Sequence, residues 1–153
     1  MTLPQTLTSL DMALLAIESI HDKKGFDPII VDVRQHSTIT DYYLLVSGHN
    51  GPHLKALFTE SRQRLKAAGT HCYRQSGTSD SGWIVADYVD IIIHFFTTET
   101  RAYYALDELW KDAPRVPVAA VTELKTVIAL KKKKKSTGTG RGIGARSSVI
   151  GEE

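Results

Sequence analysis

The sequence predicts an α/β (α+β) domain, a mixed β-sheet flanked by helices, with a basic disordered tail behind it. Three observations carry this. Segments of helical period alternate with short β-branched runs in the order αββαβββα, and such a mixture packs helices against a sheet. One run, "DYYLLVSG" at 41–48, is apolar on both faces, as a strand in the middle of a covered sheet must be. Beyond residue 130 the chain turns to Lys, Gly, Ser and Thr, which cannot support a core. With 153 residues, 42% of them hydrophobic and 24% charged, the chain is long enough to bury the core of one domain.

The first helix is "TSLDMALLAIESIHDKKG". Leu10, Ala13, Leu14, Ile17 and His21 recur at helical spacing, Thr8 with Asp11 forms a capping box, and Gly25 offers a left-handed stop. "DPIIVDV" (27–33) and "DYYLLVSG" (41–48) are strands. The next helix has Asn50 or Gly51 as its cap and Pro52 in its first turn. Leu54, Leu57, Phe58, Ser61 and Leu65 make its buried face, and Gly69 ends it. "THCYR" (70–74) is a candidate strand, followed by a loop, "QSGTSDSG". A hairpin spans 83–96. A helix over 97–113, capped by Thr97 or Thr98, puts Tyr103, Leu106 and Trp110 on one side. The domain is therefore expected at 1–115, an amphipathic helix at 116–130 and a Lys-rich tail at 131–153.

Charge divides the chain the same way. Residues 1–115 carry 11 basic and 14 acidic side chains, a net of −3, whereas 116–153 carry 8 and 3, a net of +5. The body is a poor electrostatic match to nucleic acid and the tail a good one. The one cysteine, Cys72, excludes an internal disulfide framework, fits a reducing cytosol, and reads as a small buried residue in a strand. The amino terminus shows no secretory pattern and no apolar run long enough to span a bilayer, so a cytoplasmic protein without a membrane partner is expected.

"WIVADYVDIIIHFF" (83–96) mixes large apolar residues with two aspartates and a histidine. A tight turn at Tyr88-Val89 would set Asp87 opposite Asp90, Val85 opposite Ile92 and Trp83 opposite His94. Paired residues share a face. One face then collects Ile84, Ala86, Ile91, Ile93 and Phe95, the core side. The other collects Trp83, Val85, Asp87, Asp90, Ile92, His94 and Phe96. Either helices cover this second face, with the acids at the hairpin tip, or it is a protein-binding face of aromatic anchors beside a polar rim.

"TDYYLLVSG" (40–48), "GWIVADYVDIIIHFF" (82–96) and "ETRAYYALDELWKDA" (99–113) resemble, in order and collinearly, the Iojap-related ribosomal silencing factors, the RsfS family. The resemblance covers roughly residues 6 to 115. It implies a nucleotidyltransferase-like α/β domain without nucleotidyltransferase chemistry. It implies a partner, large-subunit ribosomal protein fourteen, and a function: steric block of subunit joining that represses translation under nutrient limitation. The family's patterned positions here are Thr40, Asp41, Tyr42, Trp83, Asp87, Tyr88, Asp90, His94, Phe96, Glu99, Arg101, Tyr104, Leu109 and Trp110. The partner site expected from face and family together is Trp83, Val85, Asp87, Tyr88, Asp90, Ile92, His94 and Phe96, on a monomer or weak dimer. Val89 departs from the glycine usual in the family, and a β-branched residue resists the positive φ of a tight turn, so a wider tip is expected.

No enzyme activity, cofactor or metal is expected. A nucleotidyltransferase-like enzyme, the first alternative, needs converging carboxylates, and "DVR" (32–34) and "DYY" (41–43) offer one acid each. Asp41 reads instead as a hydrogen-bonding residue where its strand begins. "GTSDSG" (77–82) is a turn, since Trp83 stands where a phosphate loop needs lysine. His49 and His53 flank Pro52 without a third ligand, which favours a role at the helix start over zinc. The second alternative is a general RNA-binding protein acting through Lys131, Lys132, Lys133, Lys134 and Lys135, which either contact ribosomal RNA or form a solvated tail.

Overall fold

The computed structural model describes residues 7–117. The expected tail at 131–153, and all but the first two residues of the expected helix at 116–130, lie outside them. Within them the chain runs α1 (Ser9–Asp22), β1 (Phe26–Asp32), β2 (Tyr42–Gly48), α2 (Gly51–Ala67), β3 (Arg74–Thr78), β4 (Trp83–Asp87), β5 (Ile91–Thr97), α3 (Thr98–Tyr104), α4 (Leu106–Leu109) and β6 (Arg115–Val116). Six strands form one mixed sheet in the order β3-β4-β5-β2-β1-β6. β2 sits inside it, parallel to β5 and antiparallel to β1, as its two apolar faces required.

The two long helices cover one face of this sheet. Thr8 caps α1 through the full capping box with Asp11. Its buried positions are Met12, Ala13, Leu14, Ala16, Ile17, Ser19 and Ile20, so the stripe is rotated from the expected one and His21 is exposed. Lys24, at φ 68°, takes the left-handed position expected of Gly25. Gly25 is needed for space, because a Cβ there would collide with Ile20. α2 buries the five expected residues, Leu54, Leu57, Phe58, Ser61 and Leu65, behind an Asn50 cap. Opposite them lie Ile30, Leu44, Val46, Ile84, Ala86, Ile91, Ile93 and Phe95, each at most 2% exposed.

Three expectations fail. The third strand is Arg74–Thr78, not 70–74; every residue of it is exposed, so no apolar alternation marks this edge strand. Cys72 accordingly lies before the strand, half-buried, with its thiol against the Arg74 and Asp87 carbonyls. The helix expected over 97–113 breaks at Ala105 (φ 49°), leaving two short pieces. Arg115 and Val116 then pair with Val31 and Ile30 as the edge strand β6.

The hairpin register is shifted by two. Trp83 faces Phe96, Val85 faces His94, and Asp87 faces Ile92, so Asp87 and Asp90 are not opposed. The tip is wider, as expected, but the expected reason fails: Val89 does not avoid positive φ and adopts φ 74°, held there by its N–H donating to Asp87 Oδ1 at 2.8 Å. A β-branched residue in this region is strained by about 1–3 kcal/mol. Val89 is 52% exposed and packs little. Val89→Gly is therefore expected to stabilise the domain by about 1 kcal/mol, after the entropy a glycine adds to the unfolded chain. Urea denaturation of the pair of proteins checks this, and an unchanged or lowered midpoint would count against the strain.

Candidate functional site

An even register shift preserves side-chain parity, so Trp83, Val85, Asp87, Ile92, His94 and Phe96 do share the face opposite α1 and α2. Neighbouring strands extend it with Thr78, Ser76 and Arg74 on one side and Tyr43, Leu45 and Ser47 on the other. The broken helix decides which part stays open. Residues beyond the break fold back over β1: Ala113 packs on Val31 and Val33, joined by Ile29, Tyr43 and Trp110. α3 covers the far end of β5.

Arg101 holds this cover in place. Its guanidinium grips Asp107 through Nε and Nη2 at 3.0 and 2.9 Å, across the Ala105 break. Its Nη1 donates to the Asp27 carbonyl and to Ser47 Oγ, and the group lies 5.8 Å from the centre of the Phe96 ring. The grip holds the Asp107 carboxyl below its usual range.

Phe96 is consequently 0% exposed, which corrects the expectation of an exposed anchor. Ile92, at 8%, is also buried. Tyr88 belongs to the other side altogether. It is 3% exposed, within electrostatic reach of Cys72 and Arg62, and burial pushes its phenol well above its usual range. Its hydroxyl has no hydrogen-bond partner among the described residues.

What remains is an aromatic band, half-buried at Trp110, Tyr43, His94 and Trp83 and exposed at Tyr104. Trp110 stacks on Tyr43 at 5.0 Å, Tyr43 meets His94 at 5.6 Å, His94 meets Trp83 at 5.9 Å, and Trp83 meets Tyr104 at 4.5 Å. Beside it Gly77, Ser81, Trp83, Val85 and Tyr104 line an open groove of about 310 Å³. Tyr103 and Tyr104 are 81% and 52% exposed, and Leu109 66%. Exposed acids, Asp90, Glu99, Glu108 and Asp112, lie on the segments around the band. Asp87 is half-buried, with Arg74 at 3.8 Å. Tyr43 and Tyr104 are part of the band that the expected site omits. No local pattern marks the break that swings Tyr104 onto Trp83.

Trp83 Nε1 donates to His94 Nδ1 at 3.1 Å, so His94 carries its proton on Nε2 and is neutral. Burial pushes its pKa down to about 4. The unfolded chain protonates this imidazole near pH 6.5, while the folded one resists, so the stability this group contributes is complete above pH 6.5. It drains as pH falls from 6.5 towards 4, by about 1–3 kcal/mol in all. His94→Asn keeps an acceptor for Trp83 without the titration. Urea midpoints at pH 7 and 4.5 are expected to fall further for the wild type than for the variant, and parallel falls would contradict the burial.

The remaining polar candidates are occupied structurally. Asp41 accepts from Ser9 Oγ, as a residue fixing the start of β2 would. Asp32 is forked by Arg34 at 2.9 and 2.7 Å, which holds its carboxyl below the usual range. Tyr42 is buried beneath the Arg34 guanidinium, and Thr40 is buried with its hydroxyl unpartnered among the described residues. His53 Nδ1 accepts from the His49 N–H while its Nε2 meets the Lys23 carbonyl, tying the start of α2 to the end of α1. Among the described residues no three His, Cys, Asp or Glu side chains are grouped to hold a metal, and no helix is long and apolar enough to cross a membrane.

Fold and face together define an α/β domain with a half-covered aromatic sheet surface rimmed by acids, the composition of a protein interface. The chain belongs to the RsfS family: the family model, ribosomal silencing factor during starvation, matches residues 6–142. A ribosomal silencing factor RsfS of Halalkalibacterium halodurans is 28% identical over 115 residues, 75% of this chain and 98% of the relative. The mouse protein named mitochondrial assembly of ribosomal large subunit protein 1 is 24% identical over 99 residues, 63% of this chain and 43% of that protein. A crystal structure of a Chromobacterium violaceum protein superposes with a TM-score of 0.66 at 27% identity, covering 69% of this chain and 88% of that one.

Proposed function

We propose that this chain silences ribosomes by binding the large subunit through ribosomal protein fourteen and blocking its association with the small subunit, which represses translation under nutrient limitation. It works in the cytoplasm by occupancy, without catalysis, cofactor or metal. The observation that carries this reading is the aromatic band from Trp110 to Tyr104, left partly uncovered on a sheet whose other face is packed beneath α1 and α2 except at the edge strand β3. Trp83, Val85, His94 and Tyr104 supply anchors, while Asp87 and Asp90 meet a basic ribosomal protein. Ile92 and Phe96 support them from beneath, and Tyr88 shapes the tip. The names carried by the relatives, ribosomal silencing factor and mitochondrial assembly of ribosomal large subunit protein 1, support a ribosomal partner. Residues 131–135 add a contact to ribosomal RNA.

Sedimentation of the full chain with separated subunits tests the reading. Recovery with the large subunit, crosslinking to ribosomal protein fourteen and a smaller fraction of joined ribosomes are expected. Equal recovery with both subunits, or normal joining at saturation, would rule it out.

A further inference from the structure

The net charge of the body conceals a segregation between its two sides. In the helical layer, Arg64 gathers the acids: Glu60 at 2.7 Å, Asp22 at 2.8 Å and Glu18 at 3.8 Å. Lys23 adds a weaker contact to Glu60 at 3.9 Å. These acids, Glu18 and Asp22 from α1 and Glu60 from α2, fill the seam between the two helices. On the other flank of α2 stand Lys55, Arg62 and Lys66, all exposed. None of the three joins an ion pair among the described residues.

At 3.6 residues per turn the three fall within an arc of about 40°, and exposed Thr59 stands beside them with a hydroxyl. The Arg62 guanidinium is held 6.0 Å from the centre of the Phe58 ring. An open groove of about 370 Å³ crosses the outer surface of α2, lined by Lys23, Pro52, Lys55, Ala56, Thr59 and Glu60.

We infer that the flank of α2 bearing Lys55, Arg62 and Lys66 is a second binding surface, and that it takes the phosphate backbone of RNA. Cations without an acidic partner among the described residues, aligned along one helix and interleaved with a hydroxyl donor, suit a line of phosphates. A membrane would need large apolar residues beside the cations, and the outward positions here are Ala56, Thr59, Gln63 and Ala67. This surface lies across the sheet from the aromatic band, so one molecule can meet protein with one side and RNA with the other.

The test is a titration of full-length protein against a short synthetic RNA duplex over a series of salt concentrations. The basic tail is present throughout, so its contribution cancels. K55Q/R62Q/K66Q is expected to make the log–log salt slope shallower by about 2–3, the release from three phosphate contacts, with an unchanged thermal melt. Trp83→Ala is expected to leave that slope unaltered. Equal slopes for wild type and triple variant would overturn the proposal, as would a loss confined to anionic lipid vesicles or an equal loss in Trp83→Ala. Because the duplex contains no ribosomal protein, failure of subunit sedimentation would count against the docking reading alone.

Discussion

Trp83→Ala is expected to weaken binding to the large subunit by about thirtyfold or more, a loss of about 2 kcal/mol. The indole is the centre of the open band: it touches Tyr104, His94 and Phe96 at ring separations of 4.5, 5.9 and 5.7 Å and lines the neighbouring groove. Truncation removes the anchor and strips His94 Nδ1 of its donor. It also thins the cover over Phe96, so a stability loss of about 1–3 kcal/mol accompanies it. Trp83→Phe restores most of the ring and none of the N–H, separating packing from the hydrogen bond. Binding titrations and urea melts on the three proteins measure both effects. If Trp83→Ala loses stability while the folded fraction binds with wild-type affinity, the indole is a core residue and the docking face lies elsewhere.

Phe96→Ala is expected to cost about 3–5 kcal/mol of folding stability, the range for a fully buried aromatic residue. That is a large part of the roughly 5–15 kcal/mol that holds a domain folded. The ring is sealed between Trp83, His94 and the Arg101 guanidinium, and little in its surroundings can collapse into the space. Ile93→Ala, on the opposite face and equally buried, is expected to cost about 2–5 kcal/mol. The two variants should therefore resemble each other in denaturation. A loss below about 1 kcal/mol for Phe96→Ala would mean that α3 does not cover this face.

What could be read from the chain was what local chemistry decides. The Thr8–Asp11 box and the five buried positions of α2 are set within a few residues of themselves. The hairpin faces survived an incorrect register because a shift of two preserves parity. Features decided at a distance were not legible. Ala105 carries no breaking signal; the bend is closed by Arg101 reaching Asp107, Asp27 and Ser47. β3 lacks alternation because neither of its faces is buried. Exposure of Phe96 depended on that same bend, so Trp83, Val85, Asp87, Ile92, His94 and Phe96 share the expected face, Tyr88 lies on the other side, and the expectation erred in which of them reach solvent.

The parallel pairing of β2 with β5 has a consequence in time. Residues 42–48 find their second sheet neighbour only at 91–97, with residues 49–90 between them. Such long-range pairing is slow to form. A chain emerging from its own ribosome holds β2 against β1 alone until β5 is made, with half a sheet beneath α1 and α2. Neither the core face nor the aromatic band exists in that fragment. Synthesis interrupted before residue 97 thus releases a chain without the aromatic band, which on the proposed reading cannot dock.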